Sequence, residues 1–322
     1  MTLSRRSAAS LLALGALAPA AAVRAADDYP ARAVKLVVAY PPGQSTDIIS
    51  RYLAGKLTEA LGQTFYVENK GGVFGNLGTA YAARQPNDGY TLLMGAAGTH
   101  AMNEFLYANL GFDPDRDFEP IVATVVIPMM ISVHPSLDVK NVAELLALAR
   151  SRPGKVDVAV PSVTARLVLE TLRQSNAPLF GVPYRGSADA ATAVIGNQVP
   201  VLIDTVAATR PQIGKLRPLA VTSAKTMGAL PTVKSVAEQG IPGFEVVAWN
   251  ALMVPAGTPA AVKDRLAAAM RKILALPETA KAMQDMGFDP APAMSVAETQ
   301  AWIRASRRKF GEAIRMAGVK AE

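Results

Sequence analysis

Two histidines, His100 and His134, and no cysteine are all that this chain of 322 residues offers of the side chains most used for nucleophilic and soft-metal chemistry. The lack of cysteine removes thiolate catalysis, disulfides and Cys-based metal sites together. Neither histidine sits in a G-x-S-x-G elbow or an H-E-x-x-H pair. His134 precedes Pro135 after an apolar run and His100 opens a helix after Gly98-Thr99, so each reads as a capping or surface imidazole. Asp113, Asp115, Asp117 and Glu119 alternate around Pro114 without the glycine and terminal glutamate of a calcium loop, and read as a solvated turn. Arg304, Arg307, Arg308 and Lys309 share a helix with Trp302, Phe310 and Ile314 and read as its wet face. No catalytic residue, metal or cofactor is expected.

The chemistry this sequence does offer belongs to its backbone. Residues 40–47 read YPPGQSTD, directly after the strand-like run Val34–Tyr40 and before an amphipathic helix. Open α/β sheets place their ligand crevices at such strand ends. Pro41 and Pro42 fix φ, Gly43 lets the backbone approach a ligand, and Ser45 or Thr46 is the expected N-cap. Free N–H groups and the positive end of the helix dipole then favour an anion, most simply a carboxylate. A plain strand–turn–helix connection, with Asp47 complementing the dipole, accounts for the same residues. A second loop, Asn69 to Gly78, has glycines at 72, 75 and 78. That spacing is not G-x-G-x-x-G, and no G-K-[ST] phosphate loop occurs, so a nucleotide is not expected.

Around these loops strand-like and helix-like patterns alternate. Ile48, Ile49, Tyr52, Leu53, Leu57, Ala60 and Leu61 fall at helical spacing, with Gly62 at a capping position. Phe65–Glu68 leads to a short helix ending near Arg84, and Pro86-Asn87-Asp88-Gly89 turns into a strand at Tyr90–Gly95. Val156–Val160 pairs with a helix to about Gln174, Phe180–Tyr184 with Ala188–Ile195, and Val199–Asp204 with Ala207–Ile213. The end, Pro259–Met286 and Ser295–Met316, reads as nearly all helix. Such alternation predicts an α/β fold of mostly parallel sheets flanked by helices. Two apolar runs, Ile121–Val133 and Val246–Pro255, exceed a typical strand. They read either as ordinary buried strands or as segments crossing between two lobes around a cleft.

Half the chain is apolar, enough for a well-buried core. Residues 1–25 hold Arg5, Arg6 and Arg24 but no acid; with them set aside, 30 basic residues face 26 acidic ones. That excess is too small for a nucleic-acid partner. Arg5-Arg6, a small-residue apolar stretch and Val23-Arg24-Ala25 read as an export leader cleaved after Ala25, of twin-arginine type or of the general kind, placing the protein in the periplasm. The stretch is too short to span a bilayer about 30 Å thick.

The ordered motifs YPPGQSTD, VENKGGVFGNLG, PNDGYTLLMGAAGTHAMN, VPYRG at 182–186, LRPLAVTSAKTMGALPTVKSVAEQGIPGFE at 216–245 and VPAGTP at 254–259 resemble those of the periplasmic receptors of tripartite tricarboxylate transporters, also called Bug receptors. The resemblance implies a two-lobed, type II-like periplasmic binding protein fold closing on a small carboxylate, with the first two loops holding a carboxyl group by backbone N–H groups and bridging waters. It divides the chain into lobe 1 (26–125 with 251–322) and an inserted lobe 2 (126–250). Carried over by residue, the implied ligand set is Tyr40, Pro42, Gly43, Thr46 and Asp47 from the first loop, Gly72, Phe74, Gly75 and Asn76 from the second, and Thr99 on the floor. The second lobe offers Tyr184, Arg185, Gly186 and Asp204, with Trp249 on the returning segment. Gln44 and Phe74 stand where the family usually has a second glycine and a small residue, and the loop after 156–160 is shortened to Pro161–Arg166, which makes Arg166 a candidate partner for the ligand's far end. The implied partners are a small organic carboxylate and, transiently, membrane permease subunits, with the chain acting as a monomer. A receptor presenting its ligand to a sensor kinase, and an exported enzyme, are the competing readings.

Overall fold

Val34, Leu36, Val37 and Val38 are all fully buried, which a strand achieves only when both its faces are covered. In the computed structural model, which describes residues 29–318, they form β1 (Val34–Val38), parallel to β2 (Phe65–Asn69) on one side and to β3 (Thr91–Ala96) on the other. The leader expected at residues 1–25 lies outside the described residues. The helix α1 (Ser45–Leu61) returns from β1 to β2 and ends at Gly62, whose left-handed φ of 71° lets its N–H reach the Thr58 carbonyl. The helix α2 (Asn76–Ala83) makes the same return from β2 to β3.

The first long apolar run is one 16-residue strand, β4 (Phe118–Val133). The chain then continues through α3 (Val142–Ser151), β5 (Asp157–Val160), α4 (Val163–Arg173), β6 (Phe180–Pro183), α5 (Ser187–Ile195), β7 (Val201–Thr205), α6 (Val206–Thr209) and β8 (Arg217–Val221). The second run is β9 (Val247–Pro255), followed by α7 (Ala260–Ala275), α8 (Pro277–Asp285), the short β10 (Asp289–Pro290) and α9 (Val296–Met316). Both runs are strands, and they pair with each other. β4 runs antiparallel to β9 from Phe118 to Pro128, then leaves it and pairs from Met129 onward with β7 and β8. Register shifts near Pro120 and Ala123 bend the β4–β9 ladder.

The strand order is therefore β2-β1-β3-β9-β4-β7-β5-β6 in one curled, mixed sheet, with β8 and β10 also on β4. Each end of it is a parallel βαβ set, β1 with β2 and β3, and β5 with β6 and β7. The expected periplasmic binding protein architecture is thus present, and β9 and β4 join the two parallel sets in the order of the sheet.

Pro259–Met286 is nearly all helix, as expected, in two pieces, because Leu276 takes an extended backbone (ψ 128°) before Pro277, as a residue preceding proline favours. One expectation changes. Arg307 is not on a wet face. It leaves α9 to donate to the His100 carbonyl and to pair with Glu104 at 3.1 Å and with Asp115, and its side chain is only 14% exposed. The α9 N-terminus is closed by a capping box of Ser295 and Glu298. No described helix is long and apolar enough to cross a membrane.

Candidate functional site

The segments leaving the C-terminal ends of β1, β2, β5 and β6 face a cavity of about 530 Å³. Tyr40, Pro41, Gln44 and the Gly72–Gly75 turn form one wall; Pro161, Pro183, Tyr184 and Arg185 form the other. Beneath it a space of about 40 Å³ is lined by Ser45, Thr46, Ser162, Thr164, Thr205, Trp249 and Asn250. The walls nearly touch at Gly186, where a Cβ would lie 3.4 Å from Gln44 Nε2.

The start of α1 differs from expectation. Gln44, not Ser45 or Thr46, is the N-cap, and its side chain makes no capping bond. The neighbouring groups that could fill the role are otherwise engaged. Asp47 accepts from the Gly43 N–H (2.9 Å), Asn69 Nδ2 (2.9 Å) and Arg51 Nε (3.0 Å), while Thr46 Oγ1 accepts from Asn250 Nδ2 (3.2 Å). The N–H groups of Ser45, Thr46 and Asp47 have no acceptor among the described residues, although Gln44, Ser45, Thr46 and Asp47 are all buried. Helices α3, α4, α6 and α9 do carry side-chain caps, from Asn141, Ser162, Thr205 and Ser295. Across the cavity α5 also starts without one, from Gly186. A buried helix start with open donors is an anion seat.

The second wall loop is built from four successive positive φ angles, Gly72 (136°), Val73 (47°), Phe74 (49°) and Gly75 (95°). Glycine adopts these freely; a β-branched valine does so only under strain of about 1–3 kcal/mol. The turn is held by the fully buried Asn103, whose Nδ2 donates to the Phe74 carbonyl (3.2 Å) and to Asn76 Oδ1 (2.6 Å). Within it the N–H groups of Val73 and Phe74 lack acceptors among the described residues. Behind the turn Tyr40 and Thr99 pack on Gly75, leaving no room for a Cβ (Thr99 Cγ2 at 2.7 Å). Burial raises the Tyr40 phenol well above its ordinary range, against a hydrogen bond with Thr99 that pulls it down.

The expected residues thus fall into three groups. Tyr40, Phe74, Gly75, Tyr184 and Arg185 line the main cavity with Gly72, and Thr46 and Trp249 line the space below. Pro42 and Gly43 are exposed and line neither of these two spaces; Asp47 and Asn76 hold loops by the bonds just given, and Thr99 sits behind Gly75. Trp249 is engaged on its other side, donating from Nε1 to Ser306 Oγ (2.7 Å) beside Trp302. Arg166 borders a separate cavity beyond Phe74. Arg185 is exposed at the rim with no hydrogen-bond or ion-pair partner among the described residues. Pro41, Gln44, Pro183 and Asn250 were missed; Asn250 carried a signal, being a lone amide inside an apolar run.

His100 is neither a cap nor at the surface. It is buried against Phe112 and Phe118, its Nδ1 2.8 Å from Thr99 Oγ1. Burial, with the Arg307 charge nearby, lowers its pKa to about 3, so it is neutral and structural. His134 is a turn residue, bonded to Ser136. Among the described residues no group of three or more His, Asp or Glu side chains is arranged to hold a metal ion.

Asp204 ends β7 with its carboxylate buried, accepting from the Thr205 N–H (2.7 Å) and the Ser187 hydroxyl. Burial raises its pKa from 3.8 to about 6, against both of those bonds. The folded state therefore holds this proton more tightly than the unfolded one. Its stabilising contribution is present below about pH 3.8 and is lost as pH rises through about 6, a swing of up to about 3 kcal/mol. Asp204→Asn should gain stability over wild type at pH 8 and lose that gain at pH 4. The opposite slope from His100, between about pH 3 and 6.5, is common to both proteins and cancels in the difference. Urea unfolding at the two pH values reads this directly, and a difference independent of pH contradicts the assignment.

The profile of the family described as "Tripartite tricarboxylate transporter family receptor" matches residues 49–319. The chain belongs to this receptor family. It is 30% identical over 311 residues to Protein BugT of Bordetella pertussis, covering 95% of each chain. Among solved structures it is similar to R. palustris Rpa4515 with adipate (33% identity, TM-score 0.89, 92% of this chain and 100% of that one). MatC from Rhodopseudomonas palustris with bound malate is also similar (26%, TM-score 0.81, 89% and 100%). The match to the receptor profile begins inside α1, so the 40–47 loop is covered by the alignment to the full-length relative instead.

Proposed function

We propose that this receptor binds a small organic carboxylate between its lobes in the periplasm and passes it to a membrane permease. The observation that carries the reading is the buried, uncapped start of α1 at the main cavity, since open N–H donors shielded from water are stable only with an acceptor supplied. The ligand's carboxylate takes the donors of Ser45 and Thr46 and those of Val73 and Phe74. Tyr184, Arg185 and the start of α5 at Gly186 close over it from lobe 2, and Asp204 supports that wall through Ser187. Lobe 1 comprises 26–125 and 251–322, lobe 2 comprises 126–250, and β4 and β9 carry the hinge. The adipate and malate held in the two similar structures belong to the same chemical class.

A thermal-shift screen of the purified protein against mono-, di- and tricarboxylates and the corresponding amides tests this. At 100 times its dissociation constant a bound acid should stabilise the fold by about 2.7 kcal/mol, and its neutral amide should not. Equal shifts from acids and amides, or none from any acid, would overturn the reading.

A further inference from the structure

The main cavity ends at the Phe74 ring, and a second cavity of about 250 Å³ begins on the other side of it. The two share Phe74 and Pro183. The far cavity is lined by the apolar Leu106, Val163 and Leu169 and by Arg166, Glu170 and Arg173 of α4. Arg173 is bound to Glu170 at 2.9 and 3.0 Å. Phe74 also borders the small space beneath the main cavity, which puts one aromatic ring at the junction of all three. The ring's place is imposed rather than chosen. Its backbone is left-handed (φ 49°, ψ 37°), directly after a left-handed valine, and Asn103 clamps its carbonyl. Strain of this kind persists only where the surrounding structure enforces it.

We infer that Phe74 is the specificity-determining wall that sets how long an acid the cleft accepts. The ring shuts off a side cavity that would take the far part of an elongated acid. This rests on the carboxylate reading above: an acid anchored at the α1 start extends toward Phe74 and stops there. The protein as it stands prefers compact acids that fill the main cavity, with their apolar body against the ring.

Calorimetry with straight-chain α,ω-dicarboxylates and monocarboxylates of graded length provides the test. Phe74→Ala should move the preferred length upward, with long acids binding tenfold or more tighter than to wild type. Phe74→Leu, which keeps an apolar wall on the same backbone, should retain the wild-type preference. Adding Gly181→Val to Phe74→Ala should cancel the gain, because a side chain at 181 projects against Leu169 in the wall of the side cavity (2.7 Å from Cδ2 to the added Cβ). A wild-type length preference in Phe74→Ala, or a gain that survives Gly181→Val, overturns the wall while leaving the receptor reading intact. If wild type binds none of the acids, the carboxylate reading fails and the wall with it.

Discussion

Gln44→Glu should abolish carboxylate binding while leaving the empty protein as stable as before, or more so. Gln44 is the N-cap of α1, is buried, and lines the main cavity, so an isosteric glutamate sets a fixed negative charge beside the open N–H groups. Two like charges about 5 Å apart at an effective dielectric of about 20 repel by about 3 kcal/mol, roughly a hundredfold in affinity. The same charge complements the helix dipole, worth up to about 1 kcal/mol to the empty fold. A loss of binding with unchanged or raised stability separates this effect from misfolding. Titration calorimetry and urea unfolding at pH 7.5, with Gln44→Met as the neutral control, would show it. If the glutamate variant binds acids as well as the methionine variant does, the anion does not sit at this helix.

Gly78→Ala should cost about 3 kcal/mol of stability or more, and binding with it. A Cβ there would run into the Lys70 carbonyl and lie 2.8 Å from Ala39 Cα, so both obstacles are backbone and cannot rotate away. Those two points are the roots of the second and first cavity loops, and displacing either disturbs the donors on both. Gly55→Ala is the contrasting case. It lies within α1 with nothing near a new Cβ, and should stabilise the protein by about 0.4–1 kcal/mol. Urea unfolding of the pair isolates the close approach from helix propensity; equal effects at both positions would remove the packing argument.

Much of the frame was legible because it rests on local periodicity. The α1 stripe, its Gly62 cap and the first two strand–helix pairs after 156 appear where spacing put them, while the helix expected at Ala207–Ile213 is only the four-residue α6 followed by a 3-10 turn. Whether 121–133 and 246–255 were plain buried strands or crossings stayed open, since an apolar run reports burial and not partner. Only the pairing with each other and with β7 and β8 decides it. The two cavity loops were legible as backbone-rich strand ends, and the motifs they carry identified the family. Which side chains face the cavity was not. The resemblance implied Asp47 and Asn76 as ligands and passed over Gln44 and Pro41; hydrogen bonds to Arg51, Asn69 and Asn103 engage the first two, and those partners lie up to 27 residues away. Arg307 shows the same blindness to distance, since its helix face looks wet until His100, some 200 residues earlier, is brought beneath it.

The β9 strand lies between β3 and β4 in space but follows both by more than a hundred residues in sequence. Until it arrives, β3 offers a bare edge from Leu93 to Ala96, and β4 one from Phe118 to Pro128. Lobe 1 therefore cannot finish folding on a ribosome that has made only its first half, however stable that half looks in the complete molecule. The wait is long and its contacts are remote, which makes for slow assembly and for apolar strand edges open to the wrong partner. The last quarter of the chain thus acts as the key that locks its first third.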